Sequence, residues 1–224
     1  MLYLVPTPIG NLQDITLRSL EILKSVDAII CEDTRRTGQL LHHFEIKKPL
    51  LVLNDYNESL QFQKIIAELQ MGKNLALVSD AGTPLVSDPG FKLVRECRQL
   101  EIPIDALPGP SSILPALTMS GLPTDKFLFL GYMPDKPGHR QTLLTNLSQQ
   151  ASILKLTYII FIAPFKLVKT LTEMQQQLGD IQITLAKELT KIYQRVESKS
   201  ISEWLTEFKK QPPKGEWVGL FRLD

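Results

Sequence analysis

Strand-like apolar runs alternate with helical patterns through the first half of the sequence, and this alternation constrains the fold more than any other feature. The runs "LYLV", "DAIIC", "PLLVL", "NLALVS" and "IPIDAL" are almost continuously apolar, and segments of helical periodicity separate them. Continuously apolar strands are typical of parallel sheets buried on both faces, and the connections are too long for hairpins. We therefore expect an α/β fold class, with a mainly parallel N-terminal sheet that carries helices on both faces.

The second half has shorter elements and a different predicted architecture. The alternation loosens between residue 120 and the polar stretch "MPDKPGHRQ", so we place a domain boundary there. Residues 1–120 would form the N-terminal α/β domain, and residues 121–224 would form a C-terminal domain of ordinary size. The strands "TYIIFIA", "IQITLAKEL" and "EWVGLFRL" alternate with helices and turn-forming residues. This pattern predicts an α+β domain with a mixed sheet.

Composition excludes several classes of protein. With 43% hydrophobic and 22% charged residues, the chain resembles an ordinary globular protein. The apolar runs are too short to span a bilayer and the N-terminus lacks the features of a signal peptide, so we expect a cytoplasmic protein with no membrane contact. Cys31 and Cys97 lie inside apolar segments and should be buried free thiols. The histidines show no metal-ligand spacing, so no metal is expected.

Unusual loops follow four of the five strands predicted in the first half. They are "PTPIGN" after the first strand, "EDTRRT" after the second, "SDAGTPLVSDPG" after the fourth and "PGPSS" after the fifth. Ligands of doubly wound sheets bind at the carboxyl ends of the strands, so these loops predict one ligand site. "PTPIGN" lacks the P-loop and Rossmann patterns, and its prolines remove N–H donors. Nucleoside triphosphates and dinucleotides are therefore disfavoured as ligands.

Two of these loops also have a purely structural interpretation. In "PGPSS", plain N-capping of the following helix by Ser111 is favoured when the motif is taken alone. In "EDTRRT", Asp33 or Thr34 could cap a helix with a solvated first turn. Four charges directly after a buried strand nevertheless favour a ligand-binding role for "EDTRRT".

Four longer segments carry a resemblance to a known family. "LYLVPTPIGNLQDITLRSLEILKSVDAIICEDTRRTGQLL", "LVSDAGTPLVSDPG", "PGPSSILPALTMSGLPTDKFLFLGYMP" and "AKELTK" together resemble the ribosomal RNA small subunit methyltransferase I family. That family has the two-domain tetrapyrrole-methylase, or class III methyltransferase, fold. The resemblance implies a homodimer with S-adenosylmethionine in a cleft that the C-terminal domain completes. It also implies methylation of the ribose 2′-oxygen of a cytidine in 16S ribosomal RNA of the small ribosomal subunit.

The resemblance assigns cofactor contacts to residues in both domains. Pro8 would border the methionine part of the cofactor, and backbone groups of the "SDAGT" segment would line its cleft. Backbone atoms of Ile162 and Ala186 would hold the adenosine. The residues assigned in three of the four loops are Pro8, Ser79, Asp80, Ala81, Gly82, Thr83, Ser111 and Ser112.

The expected chemistry needs alignment and a proton acceptor. A sulfonium methyl donor is already activated, so in-line alignment replaces any need for a metal or a covalent nucleophile. A ribose hydroxyl is a poor nucleophile, and a nearby carboxylate could take or polarise its proton. Glu32, Asp33 and Glu188 are the candidates, and Arg35 and Lys187 would orient a phosphate or ribose. For Lys187 and Glu188, a surface ion pair is an equally good interpretation.

An RNA substrate requires cations near its phosphates, and aromatic side chains would help to stack unpaired bases. Scattered surface charge is the alternative interpretation for each cationic group in the sequence. The candidate groups are Arg35 with Arg36, then Lys136, His139 and Arg140, then Lys187, Lys191 and Arg195 with the interleaved Tyr193.

The sequence departs from the family in two places, and two alternative functions stay open. In "FIAPFK", Ile162, Phe165 and Lys166 stand where the family commonly has Glu, His and Arg, and we expect the C-terminal extension of many members to be absent. The first alternative is a class III methyltransferase acting on a tetrapyrrole or another small molecule. Asn11 speaks against it, because tetrapyrrole enzymes usually carry Asp there. The second alternative is a non-catalytic relative that binds RNA or the ribosome.

The tripeptide Val-Ser-Asp occurs twice in "LVSDAGTPLVSDPG". The first copy, with Asp80, is assigned to the cofactor cleft. For the second copy we expect a structural role, in which Ser87, Asp88, Pro89 and Gly90 cap and start the next helix.

Overall fold

A five-stranded parallel sheet organises the first of two compact units, Met1–Ser111. The computed structural model describes residues 1–53, 58–151 and 153–223. The sheet consists of β1 (Leu2–Leu4), β2 (Ala28–Cys31), β3 (Leu50–Val52), β4 (Leu75–Leu77) and β5 (Ile104–Ala106). Its strand order is β3-β2-β4-β1-β5, and every neighbouring pair is parallel.

Helices cover both faces of this sheet, as predicted. They are α1 (Leu17–Ser25), α2 (Thr34–His43), α3 (Glu58–Gln70) and α4 (Phe91–Gln99). Successive side chains of a strand point to opposite faces. Ile30 accordingly packs with Leu93 of α4 and residues of α3, whereas Ile29 packs with Leu23 of α1 and residues of α2. The α/β fold class is confirmed for this unit.

The second unit, Ser112–Asp224, contains a mixed sheet. Its strands are β6 (Phe127–Tyr132), β7 (Thr157–Ile162), β8 (Gln182–Lys187), β9 (Arg195–Ser200) and β10 (Trp217–Arg222). Its helices are α5 (Ile113–Met119), α6 (Pro137–Ala151), α7 (Pro164–Leu178) and α8 (Ile201–Lys210). The strand order is β6-β7-β10-β8-β9, with β6 and β7 parallel and the other pairs antiparallel. The predicted mixed sheet is confirmed.

Strand β9 is missing from the sequence prediction, which treated this stretch as a connection. It lies at the edge of the sheet and its sequence, "RVESKS", lacks an apolar run. Arg195 bridges Glu197 and Glu207 at 2.5 and 2.6 Å, and Lys199 contacts the same two carboxylates at 2.8 and 2.7 Å. A charged edge strand resists pairing with other chains, so its polarity hides it from pattern analysis.

The division between the two units falls after Ser111, whereas the sequence placed it at residue 120. Helix α5 lies between these two positions and contacts β10 of the second sheet. The Thr184 hydroxyl of β8 also donates to the carbonyl of Ser120, just after α5, at 3.4 Å. These contacts explain why α5 groups with the second unit.

Three further expectations concern thiols, metals and membranes. Cys31 and Cys97 are free and buried, as predicted. Among the described residues, no group of three or more His, Cys, Asp and Glu side chains is arranged to hold a metal ion. Within the same ranges, no helix combines the length and apolarity that a membrane crossing requires.

The Tyr158 hydroxyl offers a test of packing in the hydrophobic core of the second unit. Its ring is fully buried and stacks on Phe221 at a centroid distance of 5.3 Å, yet its hydroxyl has no hydrogen-bond partner among the described residues. An unpaired buried hydroxyl costs about 1–3 kcal/mol. We expect Tyr158→Phe to leave the melting temperature unchanged or to raise it by a few degrees in scanning calorimetry.

Trp204 provides the control for this substitution. Its indole N–H donates to the Ile183 carbonyl at 3.1 Å, so Trp204→Phe should lower the melting temperature. A clear fall for Tyr158→Phe as well would show that the tyrosine hydroxyl stabilises the fold.

Candidate functional site

The loops that follow β1, β4 and β5 are joined by hydrogen bonds at the carboxyl edge of the first sheet. Thr7 and Gly82 exchange two backbone hydrogen bonds of 2.9 and 2.8 Å. The Thr7 hydroxyl also donates to the Ser79 carbonyl at 2.9 Å. The Thr83 hydroxyl donates to the Pro110 carbonyl at 3.0 Å. Three of the four loops singled out in the sequence therefore form one connected structure.

Two glycines allow these loops to approach each other. A Cβ atom on Gly109 would lie 2.8 Å from Cβ and 3.0 Å from Cγ of Pro6, which is closer than real contacts allow. Gly82 is buried with a φ of 86°, and a Cβ there would lie 3.4 Å from Cγ2 of Ile9. Glycine meets both demands because it lacks a Cβ and tolerates positive φ. The glycines of "SDAGTP" and "PGPSS" are thus required by the packing of loop on loop.

The loop after β4 also stores backbone strain. Leu85 and Ser87 have φ angles of 71° and 67°, in addition to the positive φ of Gly82 and Gly90. A non-glycine residue in this region costs about 1–3 kcal/mol, and such residues concentrate at functional sites. The strain is consistent with a loop shaped for a ligand.

Asp80 links a fourth loop to this structure and carries an unpaired oxygen. Its Oδ2 lies 3.5 Å from Nε of Arg36, which follows β2. Its Oδ1 is buried and has no hydrogen-bond partner among the described residues. A buried carboxylate oxygen without a donor is unfavourable. This oxygen is therefore available to a cation or an N–H group of a ligand.

Asp88 lies close to Ser79, Glu32 and Asp80. Of the predicted capping segment 87–90, Gly90 does occupy the N-cap position of α4, but the Asp88 side chain does not cap the helix. Helix α4 begins after Gly90, and no side chain caps it. Burial, and after it the charges of Glu32 and Asp80, raise the pKa of Asp88 to about 6 against the opposing effect of a hydrogen bond from Ser79. Both copies of Val-Ser-Asp thus contribute a carboxylate. The repetition itself was the sequence signal for this.

Asp33 has a structural position at the start of α2. Its carboxylate accepts hydrogen bonds from the Arg35 backbone N–H at 2.8 Å and from Nη2 of the same residue at 2.7 Å. These bonds lower the pKa of Asp33 to about 2. The structural alternative offered for this loop, an N-cap at Asp33 or Thr34, is present at Asp33, and the carboxylate is a weak base. Arg35 itself is exposed at the surface.

Five other residues predicted to contact the cofactor lie in the joined loops or next to the division of the chain into two units. Ser79 is buried, and Pro8 and Ala81 are half-buried in the joined loops. Ser111 ends the first unit and Ser112 begins the second. The N-cap position of α5 is Ser112, one residue after the predicted Ser111, and the Ser112 side chain makes no capping hydrogen bond.

The second unit brings Ile162 and Ala186 to the same end of its sheet. Both are buried. Ile162 pairs with Trp217 on one side of β10, and Ala186 pairs with Val218 on its other side. Lys187, the residue after Ala186, has its Nζ 5.5 Å from the Trp217 ring centroid. The backbone at the carboxyl ends of β7 and β8 is therefore fixed on either side of one strand.

Glu188 fixes a turn in the second unit. Its carboxylate accepts from the Glu216 backbone N–H at 2.8 Å and from Lys191 Nζ at 3.1 Å. Burial raises the pKa of Glu188, but these bonds outweigh burial and the pKa is lowered. A Cβ on Gly215 would lie 2.7 Å from the carboxylate. Glu188 does form an ion pair, but it joins Lys191, whereas the predicted pair joined Glu188 to Lys187.

Several cations predicted to face RNA are engaged inside the second unit. Arg140 is buried and donates to both oxygens of Glu173 at 2.5 and 2.7 Å. Arg195 is held by Glu197 and Glu207, as described above. Lys166, which was not one of these predicted cations but marks the departure from the family pattern, pairs with Asp135, while its neighbour Phe165 is exposed. Arg140 and Arg195 therefore stabilise the second unit, and the sequence could not distinguish them from surface cations.

Comparisons with known proteins agree with the geometry. The chain matches the family model of tetrapyrrole (corrin/porphyrin) methylases over residues 1–204. It is 42% identical over 215 residues to ribosomal RNA small subunit methyltransferase I of Thermotoga maritima, which covers 96% of this chain and 95% of that protein. The proteins of the same name from Synechocystis sp. and Escherichia coli O157:H7 are 44% and 43% identical over 97% of this chain, and 77% and 76% of theirs.

A solved structure supports the same fold. The uroporphyrin-III-C-methyltransferase from Thermus thermophilus superimposes with a TM-score of 0.63 and 18% identity, covering 99% of this chain and 92% of that one. Identity at that level speaks for the fold alone, whereas the relatives above are 42–44% identical over nearly the whole sequence. The chain belongs to the ribosomal RNA small subunit methyltransferase I family, within the tetrapyrrole (corrin/porphyrin) methylases.

Proposed function

We propose that the chain is an S-adenosylmethionine-dependent methyltransferase that acts on the ribose 2′-oxygen of a cytidine in 16S ribosomal RNA of the small subunit. The observation that carries the proposal is the set of joined loops at the carboxyl edge of the first sheet, with the carboxylates of Asp80 and Asp88 among them. The relatives at 42–44% identity, named as ribosomal RNA methyltransferases, favour RNA over a tetrapyrrole as the acceptor.

The residues of the joined loops fit this cofactor. S-adenosylmethionine supplies an activated methyl group on a positively charged sulfur, and its methionine part carries an ammonium group. The unpaired Oδ1 of Asp80 suits a cationic N–H donor, and the backbone of Ala81, Gly82 and Thr83 would line the cofactor. Pro8, Ser79 and Ser111 would contribute from the same loops. The second unit would add Ser112 and the backbone of Ile162 and Ala186.

Asp88 is the proposed proton acceptor for the ribose hydroxyl. A general base works best when its pKa lies close to the working pH, and the pKa of Asp88 is raised to about 6. Glu32 acts electrostatically on Asp88 and would keep the acceptor basic. Asp33 and Glu188 already accept several hydrogen bonds and have lowered pKa values. The exposed Arg35 would hold a phosphate near the reacting ribose, since guanidinium groups bind phosphate through paired N–H donors.

Replacement of Asp80 tests the cofactor assignment. We expect Asp80→Asn to weaken S-adenosylmethionine binding about tenfold, because a hydrogen bond to a charged group is worth about 1.5–3 kcal/mol. Titration calorimetry measures this directly. Asp27→Asn is the control, since Asp27 precedes β2 at the opposite edge of the sheet and accepts only from the Asn74 N–H, at 2.7 Å, among the described residues. Equal affinities for both variants would remove Asp80 from the site.

Transfer of labelled methyl groups tests the acceptor. Purified protein with labelled S-adenosylmethionine should label the RNA of small subunits from a strain that lacks this modification. Small subunits from the parent strain, which are already methylated, should take up much less label. Label in an added tetrapyrrole but not in RNA would favour the small-molecule acceptor. Absence of cofactor binding by calorimetry would favour a non-catalytic relative.

We also propose that the chain forms a homodimer and works in the cytoplasm. Strand β6 lies at a sheet edge and exposes Phe127 and Tyr132, and exposed apolar side chains at an edge favour association. Light scattering should give twice the 25.3 kDa mass of one chain. The location follows from the proposed substrate, because small ribosomal subunits are found there.

A further inference from the structure

The first unit contains a stretch in which positive charge is concentrated. Residues 34–49, "TRRTGQLLHHFEIKKP", hold four Lys and Arg residues and two histidines against the single carboxylate of Glu45. The whole chain has a formal net charge of only +1, so this concentration is unusual within the molecule. A local cluster of cations, not the net charge, determines attraction to a polyanion.

An open groove of about 1320 Å³ lies beside the C-terminal end of α2 within the first unit. His42, His43, Lys47 and Lys48 line it, together with Glu45. Across the part of the chain that the structure describes, no ion pair involves Lys47 or Lys48. The groove therefore presents two ammonium groups without an ion-pair partner among the described residues, and two exposed imidazole rings.

Helix α2 connects this groove with the joined loops. Arg35 and Arg36 lie in its first turn, Arg36 next to Asp80, and the groove begins at its last turn. Residues 35, 39 and 42 follow the spacing that places side chains on one helical face, and all three are exposed. A helix of ten residues is about 15 Å long, which is the span of several nucleotides. One exposed helical face thus leads from the site to the groove.

The character of the groove favours a polyanion over a protein partner. None of its lining residues is among the large hydrophobic side chains that the described part of the chain exposes. Protein interfaces need such apolar anchors, whereas contacts to phosphates need cations and N–H donors. The arginines of the second unit predicted to meet RNA are engaged with carboxylates, as shown above. The groove therefore matches RNA better than those arginines do.

We propose that the groove beside α2 binds backbone phosphates of the RNA substrate, several nucleotides away from the ribose that is methylated. This inference rests on the proposed function and extends it from the site to the substrate footprint. Lys47 and Lys48 supply charge, and His42 and His43 supply N–H donors. Contacts of this kind position the RNA without reading its sequence.

The test compares two double charge reversals of equal size. K47E/K48E changes the groove, and K209E/K210E changes two exposed lysines at the end of α8 in the second unit. Affinity for small subunits that lack the modification is measured by filter binding at several salt concentrations. We expect K47E/K48E to weaken binding at least tenfold and to reduce the slope of log affinity against log salt by about two. S-adenosylmethionine affinity and turnover at saturating subunits should stay within about twofold.

Three outcomes would overturn the inference. One is a loss of affinity for K47E/K48E no greater than that of K209E/K210E, or an unchanged salt slope. Another is unchanged RNA affinity in K47Q/K48Q, a milder variant that removes both charges and still tests the groove if the charge reversal misfolds. The third is retained RNA affinity with a changed oligomeric mass, which would make the groove a protein interface. Wild-type protein that binds the subunits but transfers no methyl would contradict the proposed function alone, because the groove is judged by affinity.

Discussion

Replacing Asp88 by Asn is expected to lower turnover about 10²- to 10³-fold while the dissociation constant of S-adenosylmethionine stays within about twofold. The amide has nearly the same shape as the carboxylate but cannot accept the proton of the ribose hydroxyl. In the wild-type protein, turnover should rise with pH through about 6, where the Asp88 carboxyl ionises. Single-turnover methyl transfer at saturating cofactor and RNA measures both effects.

The same substitution should stabilise the protein at neutral pH. The pKa of Asp88 is raised from 3.8 to about 6 on folding, so the folded state favours the protonated carboxyl. Its contribution to stability is fully present below about pH 4 and is lost as pH rises through 6. Asp88→Asn removes this loss, so its melting temperature should exceed that of the wild type near pH 7 by a few degrees and approach it near pH 4.

Asp33 is the control, because its pKa shift has the opposite sign. The hydrogen bonds from Arg35 lower the pKa of Asp33 to about 2, so its contribution is present above about pH 4 and is lost as pH falls through 2. Asp33→Asn should therefore be less stable than the wild type near pH 7. Turnover of Asp88→Asn within threefold of the wild type, or a lower melting temperature at neutral pH, would contradict the assignment of Asp88.

Gly109→Ala is expected to lower the catalytic efficiency for S-adenosylmethionine about 10²-fold. The new methyl group would lie 2.8 Å from the ring of Pro6, and neither the ring nor the backbone can turn aside as a flexible side chain would. The loops after β1 and β5 must then separate, and displacement of a positioning group by about 1 Å can cost 10²-fold in rate. The cost in unfolding free energy should be about 1–3 kcal/mol, as for other overpacked sites.

Gly138→Ala is the matched control for this substitution. A Cβ at Gly138, in α6, meets nothing within 4 Å, and its φ is not positive. Alanine is favoured over glycine in a helix, so this variant should be as stable as the wild type or slightly more so, with unchanged kinetics. Comparable kinetics for Gly109→Ala and Gly138→Ala would show that the close approach of the loops does not shape the cofactor site.

The sequence predicted those parts of the fold and site that depend on local patterns. The five strands of the first sheet appear as apolar runs because both of their faces are buried. The loops could be located because they follow those strands, and the cap at Asp33 because its partner Arg35 is two residues away. Local chemistry was sufficient for each of these predictions.

The parts that the sequence missed depend on partners distant in the chain. Glu188 meets the backbone of Glu216, and Arg140 meets Glu173, across 28 and 33 residues. No spacing rule connects such pairs, so paired and free charges look alike in the sequence. Asp88 was misassigned for the same reason, since its pKa is raised by burial in the folded protein and then by the charge of Glu32, which lies in another loop.

Methylation of the 2′-oxygen of a cytidine in 16S ribosomal RNA can be tested directly. A methyl group at that position prevents the oxygen from attacking the adjacent phosphate, so alkaline hydrolysis leaves the modified residue in a dinucleotide. Small subunits lacking the modification would be treated with the protein and labelled S-adenosylmethionine, and their RNA hydrolysed and analysed by mass spectrometry. We expect label in one alkali-resistant dinucleotide that begins with cytidine, and none with Asp88→Asn over the same period. Label in mononucleotides, or unlabelled RNA, would contradict this expectation.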